Sequence, residues 1–330
     1  MNKVYNWGII GLGSIAKKFA EGLAVLPNAK LYAVASRSLE KAKKFAASYN
    51  APVAYGSYEE IAADKNVDII YIATPHTLHY ENTMMSLRNK VAVLCEKPFA
   101  INRKEVVNMI ATAKENKVFL MEAMWTAFLP SIIKIKEVIA SGLIGEVQTI
   151  RADFGIKPPY DPTSRIYNLS LGGGSLLDIG IYPAFLALEI LGKPDEIKAL
   201  ASIGKTGVDE NCGFVFRYKN GPIASLFSTI LADTSTDAMI TGTDGIIHIH
   251  SKFFMPVGFT VISSEDKATE IAPEYAGNGY NYEAAEVMAC LDRGAMESNI
   301  MSHEKSLQLI EILDKIRNEC GIQYPEHDEN

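Results

Sequence analysis

Three small residues at fixed spacing near the start of the chain constrain its fold more than any other feature. Gly11, Gly13 and Ala16 follow an apolar run, Val4 to Ile10, in the pattern Gly-x-Gly-x-x-Ala. The first glycine permits a tight turn, the second lets a pyrophosphate approach the backbone, and the small third residue lets a helix pack close to the strand. A helix that begins here presents amide groups and a positive dipole end, which favour an anion. The pattern therefore predicts a strand, a phosphate-binding turn and a helix.

Apolar runs and helical periodicity alternate after this turn in the order of a doubly wound α/β fold. Helices are predicted over 14–26, 39–48, 78–88 and 103–116, and strands over 31–37, 69–73, 91–95 and 118–121. Such alternation is typical of a mostly parallel sheet with helices on both faces. We expect residues 1–124 to form a Rossmann domain.

The pattern of elements changes after about residue 125. A helix over 130–141 precedes a series of strand-like runs, which are separated by turn signals such as Lys219-Asn220-Gly221 and Thr243-Asp244-Gly245. Residues 125–330 are therefore expected to form an α+β domain with a large, mostly antiparallel open sheet. Two helices, over 282–293 and 302–320, close the chain, and whether they pack back on the first domain stays open.

Composition excludes several classes of protein. The net charge of −7 argues against a nucleic-acid partner, because binding to phosphate backbones needs an excess of Lys and Arg. Uninterrupted apolar runs fall short of the roughly 20 residues that span a bilayer, and the N-terminus lacks the regions of a signal peptide, so we expect a cytoplasmic protein. Neither disulfides nor structural zinc is expected from the four widely spaced cysteines, Cys95, Cys212, Cys290 and Cys320.

The end of the second predicted strand distinguishes between dinucleotides. An NAD site usually has Asp or Glu there, whereas this chain has Ser36-Arg37-Ser38, with Lys41 close behind. Arg37 can pair with a 2′-phosphate, the Ser hydroxyls can donate to it, and Lys41 adds charge. This predicts NADP, with NAD possible, and Ser14 and Ile15 as further cofactor contacts. The alternative is that Arg37 is only a solvated surface residue.

A second motif, Glu96-Lys97-Pro98, follows the strand predicted over 91–95. It falls at the carboxyl edge of the sheet, where ligands bind in open α/β folds. A Lys beside an oxidised nicotinamide would have a lowered pKa and could lower that of a neighbouring acid. Taken alone, Lys97 would be interpreted as a surface residue in a loop.

Four motifs together resemble one family. The turn at Gly11, Ala73-Thr74-Pro75-His76-x-x-His79, Glu96-Lys97-Pro98, and Gly172-Gly173-Gly174-Ser175-x-x-Asp178-x-Gly180-x-Tyr182 occur in the order of the glucose-fructose oxidoreductase and inositol dehydrogenase (Gfo/Idh/MocA) family. The resemblance covers nearly the whole chain. The segment from Met121 to Pro130 is most similar to the branch of dimeric dihydrodiol dehydrogenase and NADP-dependent D-xylose dehydrogenase. That branch also resembles this chain at His76 and Tyr182, where the wider family usually has Asn and His.

The resemblance implies the roles of the site residues. Lys97 and Tyr182 would be the catalytic pair, because a phenol with a pKa of about 10 is a poor base unless a cation lowers its pKa. Asp178, one helical turn before Tyr182, would orient the substrate or Lys97. The substrate pocket would also include Trp125, Phe154 and Arg165. The remaining cofactor contacts would be Thr74, Pro75, His76, His79, Glu96, Lys97 and Trp125.

The implied reaction is hydride transfer between a nicotinamide and a secondary or hemiacetal alcohol of a sugar, polyol or cyclic dihydrodiol. The resemblance also implies a homodimer through the outer face of the second-domain sheet. A tightly bound NAD in a redox glycoside hydrolase, and a non-catalytic NADP(H) sensor, are the alternatives; Arg37 argues against the first, and Lys97 with Tyr182 against the second. The identity of the substrate and the direction of the reaction stay open.

Two histidine pairs have spacings that could suggest metal ligands. His76 and His79 form an H-x-x-H pair, but no acid or Cys nearby completes a zinc site, so no metal is expected. His248 and His250 alternate on one face of a predicted strand, where solvent-facing or hydrogen-bonded imidazoles are the simpler interpretation.

Overall fold

A computed structural model of the chain describes residues 3–265 and 267–328. The chain divides into two compact units, one of residues 1–125 and 276–307 and the other of residues 126–275 and 308–330. The domain boundary expected between residues 124 and 125 stays a prediction, because a division by contacts does not test independent folding.

The first unit contains a six-stranded parallel sheet in the order β3-β2-β1-β4-β5-β6. Its strands are β1 (Tyr5–Ile10), β2 (Ala29–Ala35), β3 (Val53–Tyr55), β4 (Ile69–Ile72), β5 (Ala92–Glu96) and β6 (Leu120–Ala123). The order reverses between β1 and β4, which places the switch point of the sheet at the end of β1. The predicted doubly wound parallel sheet is confirmed.

The helices of this unit are α1 (Ser14–Leu23), α2 (Leu39–Tyr49), α3 (Tyr58–Ala63), α4 (His79–Arg88), α5 (Arg103–Asn116) and α8 (Tyr280–Asp292). Neither β3 nor α3 is predicted from the sequence. Three half-buried residues give β3 too little apolar pattern to be found, whereas α3 has a signal in the capping box of Ser57 and Glu60.

The central strands of the first sheet are buried on both faces, as expected for a parallel sheet. Trp7 of β1 is fully buried, and its ring lies 5.3 Å from that of Phe19 on α1. Phe19 in turn stacks on Tyr71 of β4, with 3.7 Å between ring centroids. These rings hold α1 against the strands that flank the switch point.

The second unit contains an eight-stranded sheet in the order β14-β13-β12-β11-β7-β10-β9-β8. Its strands are β7 (Val147–Gly155), β8 (Glu196–Ile203), β9 (Asp209–Arg217), β10 (Ile223–Thr229), β11 (Ala238–Gly242), β12 (Gly245–Ile249), β13 (Phe259–Ser263) and β14 (Ala268–Ile271). Among these described strands only β7 and β10 pair in parallel. The predicted large, mostly antiparallel sheet is confirmed, and β14, a short strand with mostly exposed residues, is an addition.

Two helices, α6 (Pro130–Ala140) and α7 (Ile181–Leu191), belong to the second unit. The chain ends with α9 (His303–Cys320), which runs across the division at residue 307, and α10 (Pro325–Asp328). Every residue of α7 from Ile181 to Leu188 is buried, and the helix contacts β7 and β10. α7 is therefore the core helix beneath the sheet.

The helical stretch Leu169–Leu191, which includes α7, is long and apolar enough to cross a membrane. However, 83% of its most apolar window is buried inside the protein, as expected for a core helix. Four glycines, Asp178 and Glu189 interrupt this stretch, so it does not stand out in the sequence as an uninterrupted apolar run.

Candidate active site

The turn between β1 and α1 has the geometry that the glycine pattern predicts. Gly11 has φ +87°, and a Cβ on it would lie 2.7 Å from the backbone of Ala73 and Thr74, so only glycine fits. A Cβ on Gly13 would meet no described residue within 4 Å. No side chain among the described residues caps α1. Space beside Gly13 and an uncapped helix start fit the pyrophosphate of a dinucleotide.

Hydroxyl and basic groups lie at the end of β2. Ser36 is buried, and its Oγ accepts a hydrogen bond from the Ser38 backbone N–H at 3.3 Å. Ser38 caps α2 by accepting from the Lys41 N–H, and the side chains of Arg37 and Lys41 are exposed. Arg37 also hydrogen-bonds the hydroxyl of Tyr58, whose pKa burial raises while the guanidinium opposes that rise. Two cations and two hydroxyls are thus grouped where a ribose phosphate would bind.

His79 is fully buried at the start of α4 and links two loops of the first unit. Its Nδ1 lies 2.7 Å from the carbonyl oxygen of Pro98, and its Nε2 lies 3.0 Å from that of Thr74. Burial lowers the pKa of His79 to about 4, so the neutral ring can donate to only one of the two carbonyls. Direct contact of His79 with a cofactor stays a prediction, but this geometry favours a positioning role.

The turn that contains Thr74, Pro75 and His76 follows β4. The hydroxyl of Thr74 accepts a hydrogen bond from Asn82 Nδ2 at 3.2 Å, and His76 is mostly buried. Because β1 and β4 are neighbouring parallel strands, this turn lies at the same edge of the sheet as the Gly11 turn. That these three residues contact a cofactor stays a prediction.

Lys97 follows β5 in a loop that two acidic side chains hold. The Lys97–Pro98 peptide bond is cis. Buried Glu96 accepts hydrogen bonds from the Tyr71 hydroxyl and from the Lys97 N–H, the latter at 3.2 Å. On β6, Glu122 Oε1 accepts from the Phe99 N–H at 3.0 Å. The backbone on both sides of the half-buried Lys97 side chain is thus fixed by carboxylates.

Glu96 and Glu122 belong to a buried acidic cluster that also contains Glu283 of α8. Burial raises the pKa of Glu122 to about 7, with the charge of Glu96 adding to the rise. Burial and the charge of Glu96 likewise raise the pKa of Glu283 well above its usual range. Neither carboxyl oxygen of Glu283 has a hydrogen-bond partner within the described part of the chain. Burial without such a partner favours the protonated form of Glu283.

In the second unit, Asp178 and Tyr182 lie on one continuous helix. A π-helical segment, Leu176–Gly180, carries Asp178 and leads directly into α7, whose second residue is Tyr182. The Asp178 carboxylate is buried and accepts a hydrogen bond from Arg165 Nη1 at 2.8 Å. A π-helical turn within a helix is frequent at functional sites. The structure thus brings together three of the predicted site residues of this unit.

Aromatic rings surround the Tyr182 side chain. Its ring centroid lies 5.7 Å from that of Phe154 and 5.1 Å from that of Phe254. Phe154 and Phe254 stack on each other at 4.4 Å. Phe154 is among the pocket residues that the resemblance implies, whereas Phe254 is not, because it lies in an irregular segment without a motif. In the first unit, the predicted pocket residue Trp125 stacks on Tyr280 at 4.3 Å.

Glu122 is likewise absent from the predicted site residues, although an acid inside an apolar strand is a signal that the sequence does carry.

No three His, Cys, Asp or Glu side chains in the described part of the chain are placed to hold a metal ion. His248 instead pairs with Asp237 at 2.8 Å, and His250 with the Thr260 hydroxyl at 2.8 Å. The juxtaposition of Lys97 with Tyr182 stays a prediction.

The buried carboxyl of Glu122 gives the first unit a pH-dependent stability. Its folded-state pKa of about 7 lies above its ordinary value of 4.5, so its contribution is complete below pH 4.5 and is lost as the pH rises through 7. We expect Glu122→Gln, which keeps the acceptor for Phe99, to remove this dependence. In urea titrations, the unfolding free energy of the wild type relative to the variant should fall by on the order of 1–3 kcal/mol between about pH 5 and about pH 8. Exposed Glu81→Gln is the control, and an equal difference at both pH values would refute the assignment.

Comparison with protein families agrees with this architecture. Residues 5–124 match the family model described as an oxidoreductase family with an NAD-binding Rossmann fold, GFO/IDH/MocA. Residues 132–248 match the model of the GFO/IDH/MocA C-terminal domain.

The chain is similar to known proteins over almost its whole length. The chain is 40% identical over 328 residues to the trans-1,2-dihydrobenzene-1,2-diol dehydrogenase of Xenopus tropicalis, covering 97% of this chain and 99% of the relative. Identity to the human protein of the same name is 35% over 330 residues, covering 97% and 98%.

Two solved structures have the same fold. A 3-ketoreductase from Actinomadura kijaniata, in complex with NADP and TDP-benzene, has a TM-score of 0.87 at 25% identity, with 96% of this chain and 98% of that chain covered. An aldose-aldose oxidoreductase from Caulobacter crescentus, complexed with glycerol, has a TM-score of 0.88 at 24% identity, with 97% and 98% covered. The two family models cover both units of the fold, and the curated relatives match almost end to end. The chain therefore belongs to the GFO/IDH/MocA family of oxidoreductases, whose Rossmann domain binds NAD(P).

Proposed function

We propose that this protein is an NADP(H)-dependent dehydrogenase that oxidises a secondary or hemiacetal alcohol, with cyclic trans-dihydrodiols as the first substrates to test and sugars and polyols as the next. The observation that carries the proposal is the helix that presents Asp178, held by Arg165, and Tyr182, enclosed by Phe154 and Phe254. This arrangement combines a phenol that can transfer a proton with an acid and an apolar surface, in a chain that belongs to an oxidoreductase family.

In the proposed mechanism, Tyr182 takes the proton of the substrate hydroxyl and returns it in the reverse direction. Lys97 is the cation that lowers the pKa of the phenol from its usual value of about 10. Arg165 neutralises Asp178 and fixes the carboxylate, which accepts a hydrogen bond from the substrate. A bound nicotinamide supplies the acceptor for hydride at the carbon that bears the hydroxyl.

The aromatic rings around Tyr182 indicate which substrates to test. Phe154, Phe254 and Tyr182 present ring faces and edges, which suit the flat, apolar side of a six-membered ring. A dihydrobenzenediol has such a face, and so does the C–H side of a pyranose sugar. The names of the relatives, trans-1,2-dihydrobenzene-1,2-diol dehydrogenases, support the cyclic diol as the first choice.

The basic group at the end of β2 supports NADP over NAD. Arg37, Lys41 and the hydroxyls of Ser36 and Ser38 can bind a 2′-phosphate, and no acid stands at residues 36–38 to bind the free ribose hydroxyl of NAD. A neighbour at 25% identity is a complex with NADP.

Removing the Arg37 side chain tests the choice of cofactor. We expect Arg37→Ala to weaken NADPH binding by roughly 10- to 100-fold, because one charge-assisted hydrogen-bonding group contributes about 1.5–3 kcal/mol. NADH binding, which involves no 2′-phosphate, should change little. Fluorescence titration of both cofactors gives the two dissociation constants, with exposed Arg88→Ala as the charge-matched control. Weakening of neither cofactor would show that Arg37 is a solvated residue, and equal weakening of both would show that it does not bind the 2′-phosphate.

Turnover is tested by following NADPH absorbance with trans-dihydrodiols, aldoses and inositols. We expect oxidation of at least one of these alcohols and a loss of about 10²- to 10⁴-fold in kcat for Tyr182→Phe, with NADPH affinity unchanged, since the phenyl ring packs but cannot transfer a proton. Exposed Tyr160→Phe is the matched control. No absorbance change with any alcohol and either cofactor, or full activity of Tyr182→Phe, would contradict the proposal.

The outward face of the second-unit sheet supports a homodimer. Along β8, β9 and β10 most inward residues are buried, whereas Leu200, Val215, Ile223 and Phe227 are exposed, Leu200 by 83%. Gly213 pairs with both Leu200 and Phe227, so these two side chains flank it on one face. An apolar patch of this kind on an open sheet is typical of a protein interface. The partner that we propose is a second copy of the chain.

A charge in the patch tests this proposal. We expect sedimentation velocity to give a dimer for the wild type and a monomer for Leu200→Asp, because dimerisation would bury the new carboxylate without a partner. Lys205→Asp, outside the patch, should remain dimeric. A wild-type monomer at tens of micromolar, or a dimeric Leu200→Asp, would rule out this interface.

A further inference from the structure

The glycine-rich run before the π-helical segment packs against a buried carboxylate and against the preceding loop. Gly174 has φ +119°, and a Cβ on it would lie 2.2 Å from Oδ1 of Asp209. A Cβ on Gly173 would lie 2.6 Å from the carbonyl oxygen of Ile166. Side chains are therefore excluded at both positions, because the backbone there passes directly over Asp209 and over the preceding loop.

Asp209, the first residue of β9, is fully buried and holds the start of the helix. Its Oδ2 accepts hydrogen bonds from the Leu176 N–H and from the Ser175 hydroxyl, both at 2.7 Å. The Ser175 hydroxyl also lies 3.0 Å from that of Ser228 on β10. The Tyr324 hydroxyl donates to the carbonyl of Gly173 at 2.6 Å, which fixes the run from the other side.

Burying a carboxylate at residue 209 costs free energy. Burial raises the pKa of Asp209 to about 7, although the hydrogen bonds from Ser175 and Leu176 oppose the rise. Oδ1 has no hydrogen-bond partner within the described residues. A core that needed only packing would use an apolar residue at this position. The bonds to Oδ2 are short and directed at a helix start, where a negative charge is most favourable.

The helix that Asp209 holds at its start carries two residues of the candidate active site. Asp178 lies two residues after Leu176, and Tyr182 lies six residues after it, on the same continuous helix. A rotation or shift of the first turn would therefore move both side chains together. Misplacement of a catalytic group by about 1 Å can cost on the order of 10²-fold in rate.

We propose that Asp209 is a positioning residue for the reaction, which fixes the first turn of the helix through Ser175 and Leu176 and thereby sets the positions of Asp178 and Tyr182. This inference rests on the proposed function of Tyr182 as the proton-transferring group. Asp209 itself is fully buried and is not proposed to touch the substrate.

The test compares Asp209→Ala with Asp209→Asn, which keeps an acceptor oxygen for Leu176. We expect Asp209→Ala to lower kcat per NADPH-binding site by about 10²-fold, with a smaller change in KM and unchanged NADPH affinity. Asp209→Asn should recover most of that loss. Asp195→Ala, which removes an acidic cap from a different turn, is the control and should keep wild-type kcat.

A second readout separates positioning from mere stabilisation. The phenol pKa of Tyr182 is obtained from ultraviolet titration of the wild type minus that of Tyr182→Phe, and from the same pair in the Asp209→Ala background. Under the proposed function, in which Lys97 lowers the pKa of the phenol, positioning predicts that this pKa rises in Asp209→Ala. Loss of a negative charge alone would lower the phenol pKa.

The outcomes are distinct. Unchanged kcat per binding site in Asp209→Ala, with only a lower melting temperature, would overturn the inference. If the wild type oxidises no alcohol, the proposed function fails, and the titration alone decides: a raised phenol pKa supports positioning, and an unchanged or lowered one overturns it. If Asp209→Ala does not fold, Asp209→Asn takes its place with an expected loss of several-fold in kcat and a phenol pKa that rises in the same direction.

Discussion

The close approach of Gly11 to the backbone after β4 is the constraint on which the first unit depends. The turn after β1 lies directly against the turn after β4. A Cβ on Gly11 would lie 2.7 Å from the Ala73 carbonyl, so this approach is possible only with glycine at residue 11. The helix start of α1, the Thr74 turn and, one strand further, the Lys97 loop therefore reach the same edge of the sheet. His79 then ties the last two together through the carbonyls of Thr74 and Pro98.

Buried carboxyl groups support the candidate residues of each unit. In the first unit Glu96 and Glu122 accept backbone N–H groups on either side of the Lys97 loop, and in the second Asp209 accepts those at the start of the Tyr182 helix. Each of these groups costs free energy to bury. Their common feature is that they fix backbone segments from which site residues project, so stability is exchanged for defined geometry.

The alternating pattern of the first unit was predictable from sequence because buried parallel strands are continuous apolar runs and the glycine pattern marks the first turn. The antiparallel sheet was predictable from its turn signals. Elements as short as β3 and β14 were not, since three or four half-exposed residues carry no periodicity.

The site residues were predictable only where the sequence contains motifs. The resemblance to the family implies Lys97, Asp178 and Tyr182, and the structure adds the residues that hold them in place. Asp209 lies 34 residues from the Ser175 hydroxyl that it binds, and Phe254 reaches Tyr182 from an irregular loop. Such long-range pairings follow from the register of the sheet, which a single sequence does not give.

We propose that the protein carries out net hydride transfer to NADP. The most direct measurement follows deuterium from the carbinol carbon of a labelled trans-dihydrodiol into the cofactor, by mass spectrometry of NADPH after one turnover. We expect labelled NADPH in an amount equal to the oxidised product, and at least about 10²-fold less in the same time with Tyr182→Phe. Deuterium that stays in the dihydrodiol, with no labelled NADPH, would contradict net hydride transfer.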